Sequence, residues 1–352
     1  MPRAYPLALL PFLAILLAGA APVRASAGFD DGQLAKIEHP AWLKEGFLNL
    51  EDDLAEARAA GKVGLLVFFS TDGCSYCRLF IRESLSNPQI AARVQAHFDT
   101  IGLEIFDDAE LTDLAGRPTR VKQFALDQGV QFAPTLLFYD GTGRLALRLT
   151  GYYEPERFSR ALDFVIGGHY ERTTLRDWLA QAASETPQAR QAPPAEPWGL
   201  ADDPLFAPPP YALERRRIPA ERPLLAIFER ADCPRCARFH AEVLGDPGLR
   251  ALLAGLEVVR LDAADTLTPV LTPDGRRTDP ADWARSLGFE DYPALAFFSE
   301  DGREVLKTDA LVLKSRMGNS LGFVLERAYE QGWTYQRFAR SRAAARAAAG
   351  AQ

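Results

Sequence analysis

"VGLLVFFSTDGCSYCRLFIRESL", residues 63–85, decides how this 352-residue chain is read. Its first eight residues are an apolar run between Gly61 and Asp72-Gly73, as expected of a strand buried on both faces. After a short polar turn, apolar residues at 79, 80, 81 and 85 follow the spacing of a partly buried helix. Cys74 and Cys77 therefore sit where a strand hands over to a helix.

The same order returns in "PLLAIFERADCPRCARFHAEVL", residues 223–244. Adding 159 to a residue number carries Cys74 and Cys77 to Cys233 and Cys236, Glu83 to Glu242, Pro88 to Pro247, Gly116-Arg117 to Gly275-Arg276, Pro134 to Pro293, Gly143-Arg144 to Gly302-Arg303, and Tyr170-Glu171 to Tyr329-Glu330. One offset held across turn and core positions marks a duplicated unit. Each copy reads as an N-terminal helix, the strand, the C-x-x-C helix, a second strand, an insertion, another helix, an apolar hairpin and a closing helix. The expected fold is α/β, two domains each with a mixed central sheet flanked by helices. The first domain is placed at 28–182 and the second at 222–339. A Pro/Ala-rich linker is expected at 183–221 and a low-complexity, frayed tail at 340–352.

A cysteine that opens a helix meets free backbone N–H groups and the positive end of the macrodipole, which favour thiolate over thiol. Cys74 and Cys233 hold that position, and Cys77 and Cys236 lie one turn deeper, within reach of a mixed disulfide. A structural clasp is the weaker use, because a disulfide closing so short a loop contributes only about 2 kcal/mol in the chain-entropy model. Zinc is the other rival, since C-x-x-C supplies half a tetrahedral site. The second pair, however, lies far beyond the few tens of residues typical of zinc modules. Redox exchange is the favoured reading, with no cofactor and no metal. A binding, assembly or metal-carrying module with little turnover is the alternative. His39, His97, His169 and His240 show no ligand spacing, and His240 is read as a partly exposed helix residue.

The strand–C-x-x-C–helix unit, with Pro134 and Pro293 each 60 positions after the first cysteine and before an apolar strand, resembles the thioredoxin superfamily in both copies. Within it, residues 39–77 and the insertion "LTDLAGRPTRVKQFA" (111–125) look like exported proteins of the SoxW type. The resemblance implies that Cys74 and Cys233 attack and that Cys77 and Cys236 resolve. It also implies that Pro134 and Pro293 are cis and present backbone to an extended substrate, flanked by Ala133 and Tyr292. Thioredoxins carry a buried Asp six residues before the first cysteine, whereas this chain has Phe68 and Ile227 there. Arg235, beside Cys233, is expected to favour its thiolate. Asp72, Glu83, Asp232 and Glu242 are expected to be surface or helix-supporting acids.

Residues 1–27 combine Arg3, a short apolar stretch broken by Pro11, and a small-residue ending at Ala25-Ser26-Ala27. They read as a secretory signal peptide, placing the protein in the periplasm or otherwise outside the cytoplasm, with no membrane anchor after cleavage. Removing them takes away Arg3 and Arg24 and no acid, so the formal charge moves from −7 to −9. An acidic chain is a poor candidate for nucleic-acid binding. All four cysteines are spent on two C-x-x-C pairs, which favours chemistry over scaffolding. The expected partners are protein thiols and disulfides and a membrane thiol-electron donor.

Overall fold

The computed structural model describes residues 36–184, 203–231 and 233–350. The signal peptide expected at 1–27, residues 185–202 of the expected linker, and Asp232 lie outside them. The buried run becomes β1 (Gly64–Ser70), all seven residues of which are buried. Helix α1 (Leu50–Ala59) precedes it, capped by the Asn49 side chain on the N–H of Asp52. The C-x-x-C helix α2 (Ser75–Phe80) follows and runs into a π turn at Ile81–Leu85. Helix α3 (Pro88–His97) then starts under an Asn87 cap with Pro88 in its first turn, and leads into β2 (Phe98–Glu104). The insertion forms a small ribbon, β3 (Glu110–Thr112) and β4 (Pro118–Arg120), followed by α4 (Val121–Asp127). The apolar hairpin is β5 (Thr135–Asp140) and β6 (Leu145–Thr150), turned at Gly143 with φ of 83°. Helices α5 (Pro155–Ile166) and α6 (Leu175–Ser184) close the domain.

The strand order is β2-β1-β5-β6, with β1 parallel to β2 and antiparallel to β5. Side chains of β1 alternate between faces, as strand geometry requires. Leu66 and Phe68 enter a core with Phe80, Phe98 and Phe158, while Leu65, Val67 and Phe69 enter another with Leu50, Ala57 and Phe124. Both faces of the sheet are therefore covered. Fully burying one such side chain stabilises the fold by about 1.5–3 kcal/mol.

The second copy repeats the plan. Its elements are β8 (Leu224–Glu229), α7 (Pro234–Phe239) with a π turn at His240–Leu244, α8 (Pro247–Leu253), β9 (Glu257–Asp262), α9 (Pro280–Ser286), β12 (Ala294–Phe298), β13 (Glu304–Thr308) and α10 (Lys314–Leu325). The sheet order β9-β8-β12-β13 matches the first, strand for strand.

Three expectations differ from what is seen. The second copy has no N-terminal helix among the described residues. Prolines at 208–210, 219 and 223 deny that segment a helix, and β7 (Tyr211–Ala212) instead pairs with β10 (Val270–Leu271), which also pairs with β11 (Arg277–Thr278). Residues 203–221, expected as linker, belong to the second domain. Asp203 is paired with Arg250, Phe206 packs on the core, and the buried Arg215 is paired with Glu257. Finally, residues 340–350 are not a loose tail but the greater part of helix α11 (Tyr335–Gly350), where alanine-rich sequence has high helix propensity.

Candidate active sites

Cys74 is the N-cap of α2, and its Sγ accepts the backbone N–H of Cys77 at 3.0 Å. Cys233 caps α7 in the same way, accepting from Cys236 at 3.0 Å. In each pair the first cysteine is partly exposed and the second fully buried. Both pairs are disulfide-bonded. When reduced, the first sulfur of each pair faces helix N-terminal donors that favour its thiolate.

The proline loops lie against these sulfurs. The Ala133–Pro134 and Tyr292–Pro293 bonds are cis. Cys74 Sγ is 3.5 Å from the Ala133 carbonyl oxygen, and Cys233 Sγ is 3.5 Å from that of Tyr292. The fold thus brings all eight residues singled out in the sequence into two sites of one design. Phe68 and Ile227 are fully buried in the apolar cores, so no acid lies at those positions.

The electrostatics depart from expectation. Arg235 is ion-paired with Asp291, and Arg157 of the first domain reaches the same carboxylate at 2.9 Å. Its positive charge is therefore shared with an acid rather than offered to Cys233 alone, and burial also pulls its pKa below the ordinary guanidinium value. His240 is only slightly exposed, its side chain 9% accessible. Its Nε2 lies 2.7 Å from the carboxylate of the buried Glu229, which also meets Arg260 at 3.3 Å. Asp72 is exposed, while Glu83 and Glu242 pair with neighbouring arginines on their own helices. Among the described residues, no group of three or more His, Cys, Asp or Glu side chains is placed to hold a metal ion.

The residues that sequence reading missed form the seam between the domains. Arg316 of α10 donates to the Ala133 carbonyl at 3.0 Å and stacks on the Tyr76 ring, with its guanidinium carbon 3.8 Å from the centroid. The Leu313 N–H donates to the Tyr76 hydroxyl at 3.2 Å. The offset of 159 maps Arg157 onto Arg316, so each domain sends the equivalent arginine to the other's pre-proline loop. Helices α6 and α11 cross in the same reciprocal way. Arg176 donates from Nη1 to the Phe289 carbonyl and from its backbone N–H to the Glu290 carboxylate, and the Tyr335 ring lies 4.5 Å from that of Phe132. Phe132, from the first domain, is packed in the core of the second. The offset that links Arg157 to Arg316 was the available signal.

The seam also carries a titratable pair. The Asp309 carboxylate accepts the Glu290 N–H at 2.8 Å, and burial raises the pKa of both acids above the ordinary carboxylate range. A carboxyl with a raised folded pKa takes up its proton in the folded state before the unfolded one. Its stability contribution therefore falls as pH rises from the unfolded value, about 4, through the folded one. Asp309→Asn, which keeps an acceptor for the Glu290 N–H, is expected to raise the unfolding midpoint at pH 7, with the gain fading towards pH 4. Thermal unfolding across that pH range measures it, and an equal effect at both pH values would contradict this assignment.

A family model described as a thioredoxin-like domain matches residues 50–166 and again 213–323, together more than half of the chain. No curated protein matches. Among solved structures, a thioredoxin-fold protein from Helicobacter pylori is 24% identical, with 40% of this chain and 88% of that one covered and a TM-score of 0.33. A thioredoxin from Thermus thermophilus is also 24% identical, over 33% of this chain and 82% of its own, with a TM-score of 0.27. The oxidoreductase DsbH is 13% identical over 30% of this chain and 73% of its own, with a TM-score of 0.23. With the domain matched twice and a C-x-x-C pair opening a helix in each match, the chain belongs to the thioredoxin-like family.

Proposed function

We propose that the protein is an exported, periplasmic thiol–disulfide oxidoreductase of the SoxW type, exchanging disulfides with protein partners and drawing on a membrane thiol-electron donor. The observation that carries the redox reading is the twice-built pair: a partly exposed sulfur at a helix N-terminus, a buried sulfur one turn below, and a cis-proline carbonyl at 3.5 Å. In the reaction, the thiolate of Cys74 or Cys233 attacks a partner disulfide, forming a mixed disulfide and releasing one partner thiolate. The thiolate of Cys77 or Cys236 then attacks that bond, releases the second thiolate and leaves the C-x-x-C pair oxidised, a two-electron transfer in all. The first 27 residues support export.

Removing the resolving thiol tests the scheme. The Cys77→Ala, Cys236→Ala variant of the full chain is expected to accumulate mixed disulfides with oxidised protein substrates, visible on non-reducing gels and dispersed by dithiothreitol. Wild type should show few. Absence of such adducts, together with stoichiometric zinc or copper lost on cysteine substitution, would favour a metal-carrying module instead.

A further inference from the structure

The two cysteine sites differ in what can reach them. At the first, Ser75, Tyr76 and Ala133 are 3%, 4% and 1% exposed, closed over by the second domain. Arg316 already occupies the Ala133 carbonyl, the backbone group beside Cys74. At the second, the position matching Ser75 is the exposed Pro234, and the arginine matching Arg316, Arg157, goes to the Asp291 side chain rather than to the Tyr292 carbonyl. Tyr292, which matches Ala133, is itself buried, so the difference between the sites lies at Pro234 and at the arginine contact, which leave the face beside Cys233 the more open of the two.

What remains at Cys74 is a cleft of about 70 Å³ between the two domains. That is room for a few water-sized groups, so a slender arm fits it better than a folded surface does. One wall is the first three turns of α11, which with α10 supplies Arg316, Arg340 and Arg346. The acids nearby are Asp72 on the rim and Glu104, whose carboxylate is 4.0 Å from Arg340. Arg340 and Arg346 are solvent-accessible, with Arg346 donating to Asn319 Oδ1 at 3.3 Å. The lining thus carries more positive than negative charge, which draws anions towards the sulfur.

Resting on the redox reading above, we propose that Cys74 exchanges with low-molecular-mass thiols and disulfides bearing a carboxylate, which Arg340 and Arg346 attract into the cleft. The Cys74 thiolate attacks one sulfur of such a disulfide and expels its first half as a thiolate. Cys77 then displaces the second half, so the ligand gains two electrons and the cleft pair is oxidised. Protons lost by the two cysteines balance those taken up by the released thiolates.

The test uses the reduced full chain with the second site silenced by Cys233→Ser and Cys236→Ser. Oxidation is followed by quenching and mass spectrometry with three disulfides of similar size: anionic 3,3′-dithiodipropionate, neutral 2-hydroxyethyl disulfide and cationic cystamine. The anionic reagent is expected to react faster than the cationic one by about tenfold, the equivalent of ~1.4 kcal/mol. Added salt should shrink the ratio. Arg340→Glu with Arg346→Glu, both exposed and away from the cores, should bring the ratio to one or invert it. Equal rates for all three, unchanged by the arginine variants, would overturn the charge assignment. An oxidised protein substrate reacting at Cys74 as fast as dithiodipropionate would overturn the size assignment. Failure of even the neutral reagent to oxidise the protein would instead count against the redox reading itself.

Discussion

The Cys74→Ser, Cys233→Ser double variant is expected to lose disulfide exchange by on the order of 1,000-fold or more, because a serine hydroxyl is neither a thiolate nor able to carry a mixed disulfide. Each single variant should remove one site and leave the other, since the two sulfurs cap different helices in different domains. Stability should change far less than activity: losing each short-loop disulfide costs about 2 kcal/mol in the chain-entropy model. Stopped-flow oxidation by a labelled disulfide peptide and by a small disulfide, run beside chemical denaturation, separates the two effects. A double variant that kept its exchange rate would place the chemistry elsewhere, and one that failed to fold would make the pairs structural after all.

The second large effect concerns a residue that departs from the thioredoxin pattern. Phe68 occupies the position where thioredoxins bury an acid. It is fully buried and packed 5.8 Å from the Phe80 ring, centroid to centroid. Phe68→Asp is expected to destabilise the first domain by at least about 3–5 kcal/mol. Truncating a buried phenylalanine costs that much alone, and the new carboxyl would meet an apolar core with few partners. Urea unfolding monitored by circular dichroism reads the loss as a lower midpoint. A near-neutral result would mean that the site can hydrate or rebuild around the acid.

Much of this architecture could be read from residue order. The strand–cysteine–helix unit, its repeat at one offset and the paired prolines depend on local sequence, and the structure places them as expected. Where the reading went astray, composition had stood in for contact. The Pro/Ala-rich stretch before 221 looked like a spacer, yet Arg215 within it is 2% exposed and paired with Glu257, 42 positions on. The tail's alanines looked frayed because nothing local shows that α11 packs across the seam. His240 reads from sequence as a partly exposed helix residue because its partner Glu229 sits on β8, outside the helical period. Arg157 and Arg316 escaped notice because their targets lie in the other domain.

Those two arginines bear on the history of the chain as well as its shape. Equivalent helices reach reciprocally to equivalent loops, which is the contact pattern of a twofold dimer of a single domain. In a true homodimer every substitution appears twice, so a change that suits one active centre is forced on the other. Joining the copies in one chain lifts that constraint. The matched positions do differ, Ala133 against Tyr292 and Phe132 against Asp291, so each centre can be tuned to its own substrate without unmaking the interface that holds both.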